Sequence, residues 1–194
     1  GVPAVVYPNT IGWYEPFDVR KEESIGFSGN MEYHPNHQAV RWFHGQVWPV
    51  LRRRFPALRW RLVGMNPEAV RGVVGGDSSI ELTGAVADAM PEIARARLSV
   101  VPLLSGSGTR IKILEAWAAG TAVVSTSLGA EGLPACVRIA DGAEAFAAAV
   151  TQLLEDTAAR REWEKSGRAA YERCFHRRAA WELLDAAGPV GDFT

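Results

Sequence analysis

The chain has 194 residues, 47% of them hydrophobic, and a formal net charge of −1. That supports one substantial buried core, is marginal for two domains, and excludes a disordered chain and a dedicated basic nucleic-acid binder. The two cysteines, Cys136 and Cys174, share no close spacing with each other or with histidine, which argues against a zinc motif or disulfide framework and for a reducing, cytoplasmic setting.

Taken in order, the opening Gly1 to Asn9 reads as a strand already under way, as if cut from something longer. Ser24–Ser28 is a short apolar strand ending at Gly29. Asn36–Arg54 carries apolar residues at helical spacing, with Pro35 suited to the first turn and Pro49 expected to kink the helix. Leu58–Val63 alternates apolar and basic residues and stops at Gly64, so it reads as a second strand. Pro67–Val74 is expected to be helical, Ile80–Thr83 a strand ended by Gly84, and Asp88–Arg95 a helix with Asp88 as N-cap. Leu98–Leu103 is a nearly continuous apolar run, as in a central parallel strand covered on both faces. A loop over Leu104–Gly108 leads to a helix over Thr109–Ala119, stopped by Gly120. Ala122–Thr126 and Val137–Ala140 read as strands, and Gly142–Leu184 as helical with breaks near Asp156 and near Cys174–His176.

This alternation predicts an α/β fold, a Rossmann-like parallel sheet of about six strands with helices on both faces. The chain divides into a leading segment (1–23), a ligand-binding domain (24–173) and a C-terminal helix and tail (174–194). Ligands of such sheets bind beyond the carboxyl ends of the strands, where glycine follows strand after strand. Residues 105–120 read SGSGTRIKILEAWAAG. A glycine-rich loop there leaves a buried strand and opens into a helix, whose first N–H groups form an anion site. Arg110 and Lys112 put positive charge at the helix end that prefers acids, as a diphosphate site would require; the alternative is a solvated helix face. Glu115 lies about one and a half turns from the helix start, where a carboxylate can accept two ribose hydroxyls. It could equally pair with Lys112 or Arg110.

The segment Gly106–Gly120 resembles the donor-binding motif of the group 1 glycosyl transferases, the retaining GT-B enzymes of glycosyltransferase family 4. Weaker matches in the right order accompany it: Val6–Asn9 as an interdomain stretch, Ile25–Met31 with His34–Asn36, Arg61–Gly64, Leu82–Asp88, Val100–Leu103 and Ala122–Thr126. The resemblance implies a nucleoside-diphosphate-sugar donor, a hexose transferred to a glycan or glycoconjugate acceptor, and an N-terminal acceptor-binding domain in the same protein. It implies no metal and no cofactor, a cytoplasmic enzyme with possible peripheral membrane association, and a fragment inactive alone.

In the family motif the second of two glutamates binds ribose and falls on Glu115, while the first falls on Ser107. The usual arginine after the first-strand glycine is replaced by Asn30, so Arg110 and Lys112 are expected to supply the charge. The implied donor-binding set is Gly29, Asn30, Gly84, Val86, Ser107, Gly108, Thr109, Arg110, Ile111, Lys112 and Glu115, with the base read by backbone at Gly84–Val86. His34 faces the cleft in this reading, and Glu131 either touches donor hydroxyls or marks a helix start. His34 and His37 lack partners at ligand spacing for a metal. Most of the seven tryptophans, among them Trp42, Trp48, Trp60, Trp117, Trp163 and Trp181, read as packing, with Trp13 and Tyr14 turned to a missing domain. Two other readings fit the pattern: a non-catalytic nucleotide-sugar-binding module, and a fragment of a GT-B-like sugar epimerase. The latter needs catalytic acids and bases from both halves, and the lack of a convincing pair in this sequence weighs against it.

Overall fold

The computed structural model describes residues 9–108 and 110–186, with side chains through Glu182. Thr109, the stretch Val6–Pro8 and residues 187–194 lie outside the described residues. Among those described, six strands form one all-parallel sheet: β1 (Glu22–Ser28), β2 (Arg59–Val63), β3 (Ile80–Gly84), β4 (Ala96–Val101), β5 (Ala122–Ser125) and β6 (Arg138–Ile139). Their order is β3-β2-β1-β4-β5-β6. The chain steps outward from β1 to β3 and then returns to lay β4 on the other side of β1, so the strand order reverses at the β1–β4 seam. Ligands of doubly wound sheets bind beyond the strand ends at such a point.

The central strands are buried because both faces are covered. Ile25, Phe27, Leu98, Val100, Val123 and Val124 are all within 1% of complete burial. The first long helix forms as α1 (His34–Trp42), a π-helical turn (Phe43–Val47) and α2 (Trp48–Arg54). Pro49 explains the irregularity, because its ring clashes with the carbonyl four residues back and it has no N–H to offer. An aromatic cluster fills the space beneath, with Phe43 at 4.6 Å and Trp48 at 5.7 Å from Trp60, centre to centre.

The other helices are α3 (Glu68–Val74), α4 (Met90–Arg95), α5 (Ile111–Ala118), α6 (Ala143–Glu155), α7 (Thr157–Ala170) and α8 (Arg177–Ala186), with a second π turn over Tyr171–Phe175. Asp88 stands two residues before α4, and its carboxylate accepts from the Met90 N–H at 2.9 Å. Asp156 makes the break between α6 and α7 and caps α7 through the Ala159 N–H. Helix α5 is located by α7, since a side-chain carbon at Gly167 would overlap the Trp117 indole.

In β2, Arg61, one of the basic residues of the alternation, is only 7% exposed. Glu22, Glu81 and Glu92, from three elements, surround its guanidinium. Trp181, expected to pack, is 56% exposed. The leading segment joins the C-terminal half: Ile11 bridges His176, and Trp13 stacks on Tyr171 at 5.9 Å.

Candidate functional site

The site is built where β1 and β4 end. β1 runs out at Gly29, whose φ of +141° suits glycine. A side chain there would meet the Lys112 ammonium and, at 2.9 Å, Nδ2 of Asn36, while a side chain at Gly64 would collide with the Gly29 carbonyl. Glycine at 29 and 64 therefore lets two loops and a lysine converge on one point. After β4 the chain turns through residues 104–108. Ser105 Oγ donates to Gln38 Oε1 at 2.7 Å, which pins this loop to α1. From the far side, Thr126 Oγ1 donates to the Leu103 carbonyl at 2.6 Å.

Helix α5 starts from this loop with Arg110 at its N-cap and no side-chain cap. The Ile113 N–H is taken by the Arg110 carbonyl at 2.9 Å, which leaves the Ile111 and Lys112 N–H groups without a partner among the described residues. A cleft of about 110 Å³ lies in front of them, lined among others by Tyr33, Asn36, Ser105, Arg110, Lys112 and Gly129. The Lys112 ammonium stands 5.1 Å from the centre of the Phe27 ring. Burial pulls its pKa down to about 8, against the opposing pull of Glu115. Arg110 is 7% exposed; its Nη2 donates to Glu131 at 3.0 Å, and its buried Nε has no partner. Farther along the helix, Glu115 accepts from Ser28 Oγ at 3.4 Å. Burial raises the Glu115 pKa and Lys112 opposes the rise. The arrangement is therefore a cleft with two cations and open helix N–H groups at one end, and a half-buried carboxylate about one turn away. It fits a molecule that is anionic at one point and carries hydroxyls at another.

A family model described as "Glycosyl transferases group 1" matches residues 22–156, from β1 through α6. The chain belongs to the group 1 glycosyl transferases. Among curated proteins no sequence matches it. TarM from S. aureus, solved with UDP among its ligands, superimposes with a TM-score of 0.71 at 12% identity, over 93% of this chain and 38% of that one. HepE from Anabaena, solved with UDP and glucose, gives 0.68 at 14% identity, over 86% of this chain and 48% of that one. The C-terminal domain of LpcC, a group 1 protein from Francisella tularensis, gives 0.63 at 18% identity, over 84% of this chain and 95% of that one. At these identities the likeness is one of fold, and the chain spans less than half the length of TarM and HepE.

Of the group 1 motif residues, Ser107, Arg110, Ile111 and Lys112 line the cleft, with Ser107 and Gly108 exposed on the loop before α5. Gly29 stands against Lys112, and Glu115 lies farther along α5, beside Ser28. Asn30 is also bonded within the protein. Its Oδ1 accepts from the Glu32 N–H and from Asn66, both at 3.0 Å, and its carbonyl accepts from Asn36 at 2.7 Å, so it braces the β1 and β2 loops. The Gly84 carbonyl accepts from the Gly64 N–H at 3.2 Å, and Val86 follows, partly exposed, in the loop after β3. His34 opens α1 with an exposed side chain. Among the described residues no group of three or more His, Cys, Asp or Glu could hold a metal ion, and no helix is long and apolar enough to cross a membrane.

Sequence reasoning missed Ser28, Phe27 and Gln38. Ser28 was within reach, because it ends a strand at the same carboxyl edge as the motif. Phe27 reads as core, and nothing in the sequence marks it as the aromatic face beneath a lysine.

Proposed function

We propose that this chain is the donor-binding domain of a glycosyltransferase and holds a nucleoside-diphosphate sugar at the β1–β4 seam. The observation that carries the reading is Lys112. Its partly desolvated ammonium has no hydrogen bond or ion pair to the described residues and lies beside the open N-terminus of α5. A buried cation without a partner is costly, and a diphosphate would satisfy it together with the helix N–H groups and Arg110. Glu115 then takes the ribose hydroxyls, and the loop Gly84–Val86 meets the base through its backbone. The UDP present with TarM and HepE supports this class of ligand.

Placed as the C-terminal half of a GT-B enzyme of family 4, the domain works with an N-terminal acceptor-binding domain of the same protein. The full enzyme is a retaining hexosyltransferase acting on a glycan or glycoconjugate acceptor, in the cytoplasm or at the inner face of a membrane. Its leaving diphosphate is stabilised by fixed donors and cations, without metal or cofactor. This domain alone binds donor and transfers no sugar. Calorimetry with UDP, GDP and ADP tests the reading. One of the three should bind, and Glu115→Ala should weaken it by roughly 1–3 kcal/mol, the range for a lost charged hydrogen bond. Absence of binding by all three would overturn the proposal.

A further inference from the structure

We propose that Glu131 is a resident counter-ion of the anion site: it holds Arg110 until an anionic ligand enters the cleft, and then gives it up. This deepens the donor-site reading and rests on the same cleft. The two partners are unequally placed. The Arg110 side chain is 6% exposed and the Glu131 side chain 70%. Arg110 lines the cleft, while Glu131 reaches Arg110 from the loop after β5. A guanidinium offers five N–H donors; to the described residues this one makes a single hydrogen bond, to Glu131, and its Nε is buried without a partner. A buried cation satisfied at one donor by a mostly solvated carboxylate gains from a better acceptor, and an exposed carboxylate returns to water at little cost. A phosphate group, which accepts two parallel N–H bonds from a guanidinium, is such an acceptor.

The exchange makes the apparent affinity for an anion lower than the intrinsic one, because Arg110 is occupied until Glu131 lets go. Only the side chain of Glu131 needs to move. Its backbone is held in a turn, with the Ala130 N–H on the Thr126 carbonyl and the Leu133 N–H on the Ala130 carbonyl, both at 3.1 Å.

Inorganic pyrophosphate is the probe, titrated into the wild-type chain and into Glu131→Gln and Glu131→Asp at low ionic strength. Glu131→Gln removes the charge. Glu131→Asp keeps it but withdraws the carboxylate by about 1.5 Å, one carbon–carbon bond, which breaks the contact. Both variants should bind pyrophosphate roughly two- to fivefold more tightly than wild type, the range of a weak exposed ion pair. An aspartate variant that behaves as wild type beside a tighter glutamine variant would mean long-range charge, not exchange, and would overturn the proposal. Weaker or unchanged binding in both variants, or no binding by any of the three proteins, would overturn it too. The same titrations with UDP, GDP and ADP separate the two ideas. Tightened pyrophosphate binding with no nucleotide bound leaves the exchange standing and removes the donor reading. Nucleotide bound equally by all three proteins does the reverse.

Discussion

The Lys112 ammonium lies 5.1 Å from the centre of the Phe27 ring, at the carboxyl end of the central strand β1. An aromatic face attracts a cation, but more weakly than an ion pair would replace the lost water. The fold therefore keeps a positive charge at the β1–β4 seam at a cost to its own stability, and a bound anion would recover that cost.

The first prediction follows from this cost. The folded pKa of Lys112 is about 8, against an ordinary value of 10.5. Between these values the unfolded chain binds more protons than the folded one, so the Lys112 contribution makes stability rise with pH across that window. Below about pH 8 the lysine is charged and destabilising. Lys112→Met should stabilise the chain at pH 7 by about 1–2 kcal/mol and reduce the rise between pH 8 and 10. Lys21, whose pKa burial also lowers to about 8, keeps its own share in both proteins. Nucleoside-diphosphate affinity should fall in wild type as the pH passes 8 and be weak and flat in the variant. Urea denaturation at pH 7 and pH 9, with calorimetry at both, checks this; a variant less stable at pH 7 would contradict it.

Gly29 is the second. Alanine there must adopt a φ near +141° and place its methyl where the Lys112 ammonium and Asn36 Nδ2 now sit. Strain and displacement together should cost about 1–3 kcal/mol and should weaken anion binding by moving Lys112. Gly72→Ala is the control, since nothing lies within 4 Å of a carbon added at that position. Thermal unfolding and pyrophosphate titration of the pair measure both effects.

Much of this was legible in the sequence, for physical reasons. Leu98–Leu103 and Ala122–Thr126 are apolar without alternation because their strands are buried on both faces, and glycines close β1 and β3 because the chain must turn sharply at the site. The loop-to-helix junction at Ser105–Ile111 marks a candidate anion site by chemistry that is local in sequence. What was not legible depends on partners distant in sequence. Arg61 is buried because Glu22, Glu81 and Glu92 converge on it from three elements. The Arg110–Glu131 pair joins two loops that only the adjacency of β4 and β5 brings together. Nor does the sequence show that Asn66 donates to the Asn30 side-chain oxygen and Asn36 to its backbone carbonyl.

Glu115 carries the third prediction. Burial raises its carboxyl pKa above the ordinary 4.5. Above pH 4.5 the folded chain therefore holds this proton more tightly than the unfolded one, and the Glu115 contribution to stability falls as the pH rises through the folded value. Glu115→Gln should remove that fall and gain roughly 1 kcal/mol at pH 7, while losing nucleotide affinity. A variant that bound nucleotide as wild type does would take Glu115 out of the site.

The fourth concerns how α5 is held from its other end. Arg168 Nη1 donates to the Ala118 carbonyl at the last turn of α5 at 2.6 Å, and its Nη2 donates to the Tyr14 carbonyl at 2.8 Å. Its Nε pairs with Glu172 at 2.6 Å, and its guanidinium faces the Trp13 and Tyr171 rings at 5.3 and 5.1 Å. The Tyr171 hydroxyl adds to the clamp, donating to the Gly12 carbonyl at 2.7 Å and accepting from the Tyr14 N–H at 2.9 Å. One planar group thus ties the leading segment to the helix that carries Lys112 and Glu115. Arg168→Met should cost about 2–4 kcal/mol through unpaired carbonyls and lost stacking. Arg168→Lys should recover little, because a single ammonium cannot span acceptors set for a forked guanidinium. Hydrogen exchange should then show faster exchange in both 12–16 and the end of α5 for either variant; loosening confined to the leading segment would mean that the clamp does not reach the site helix.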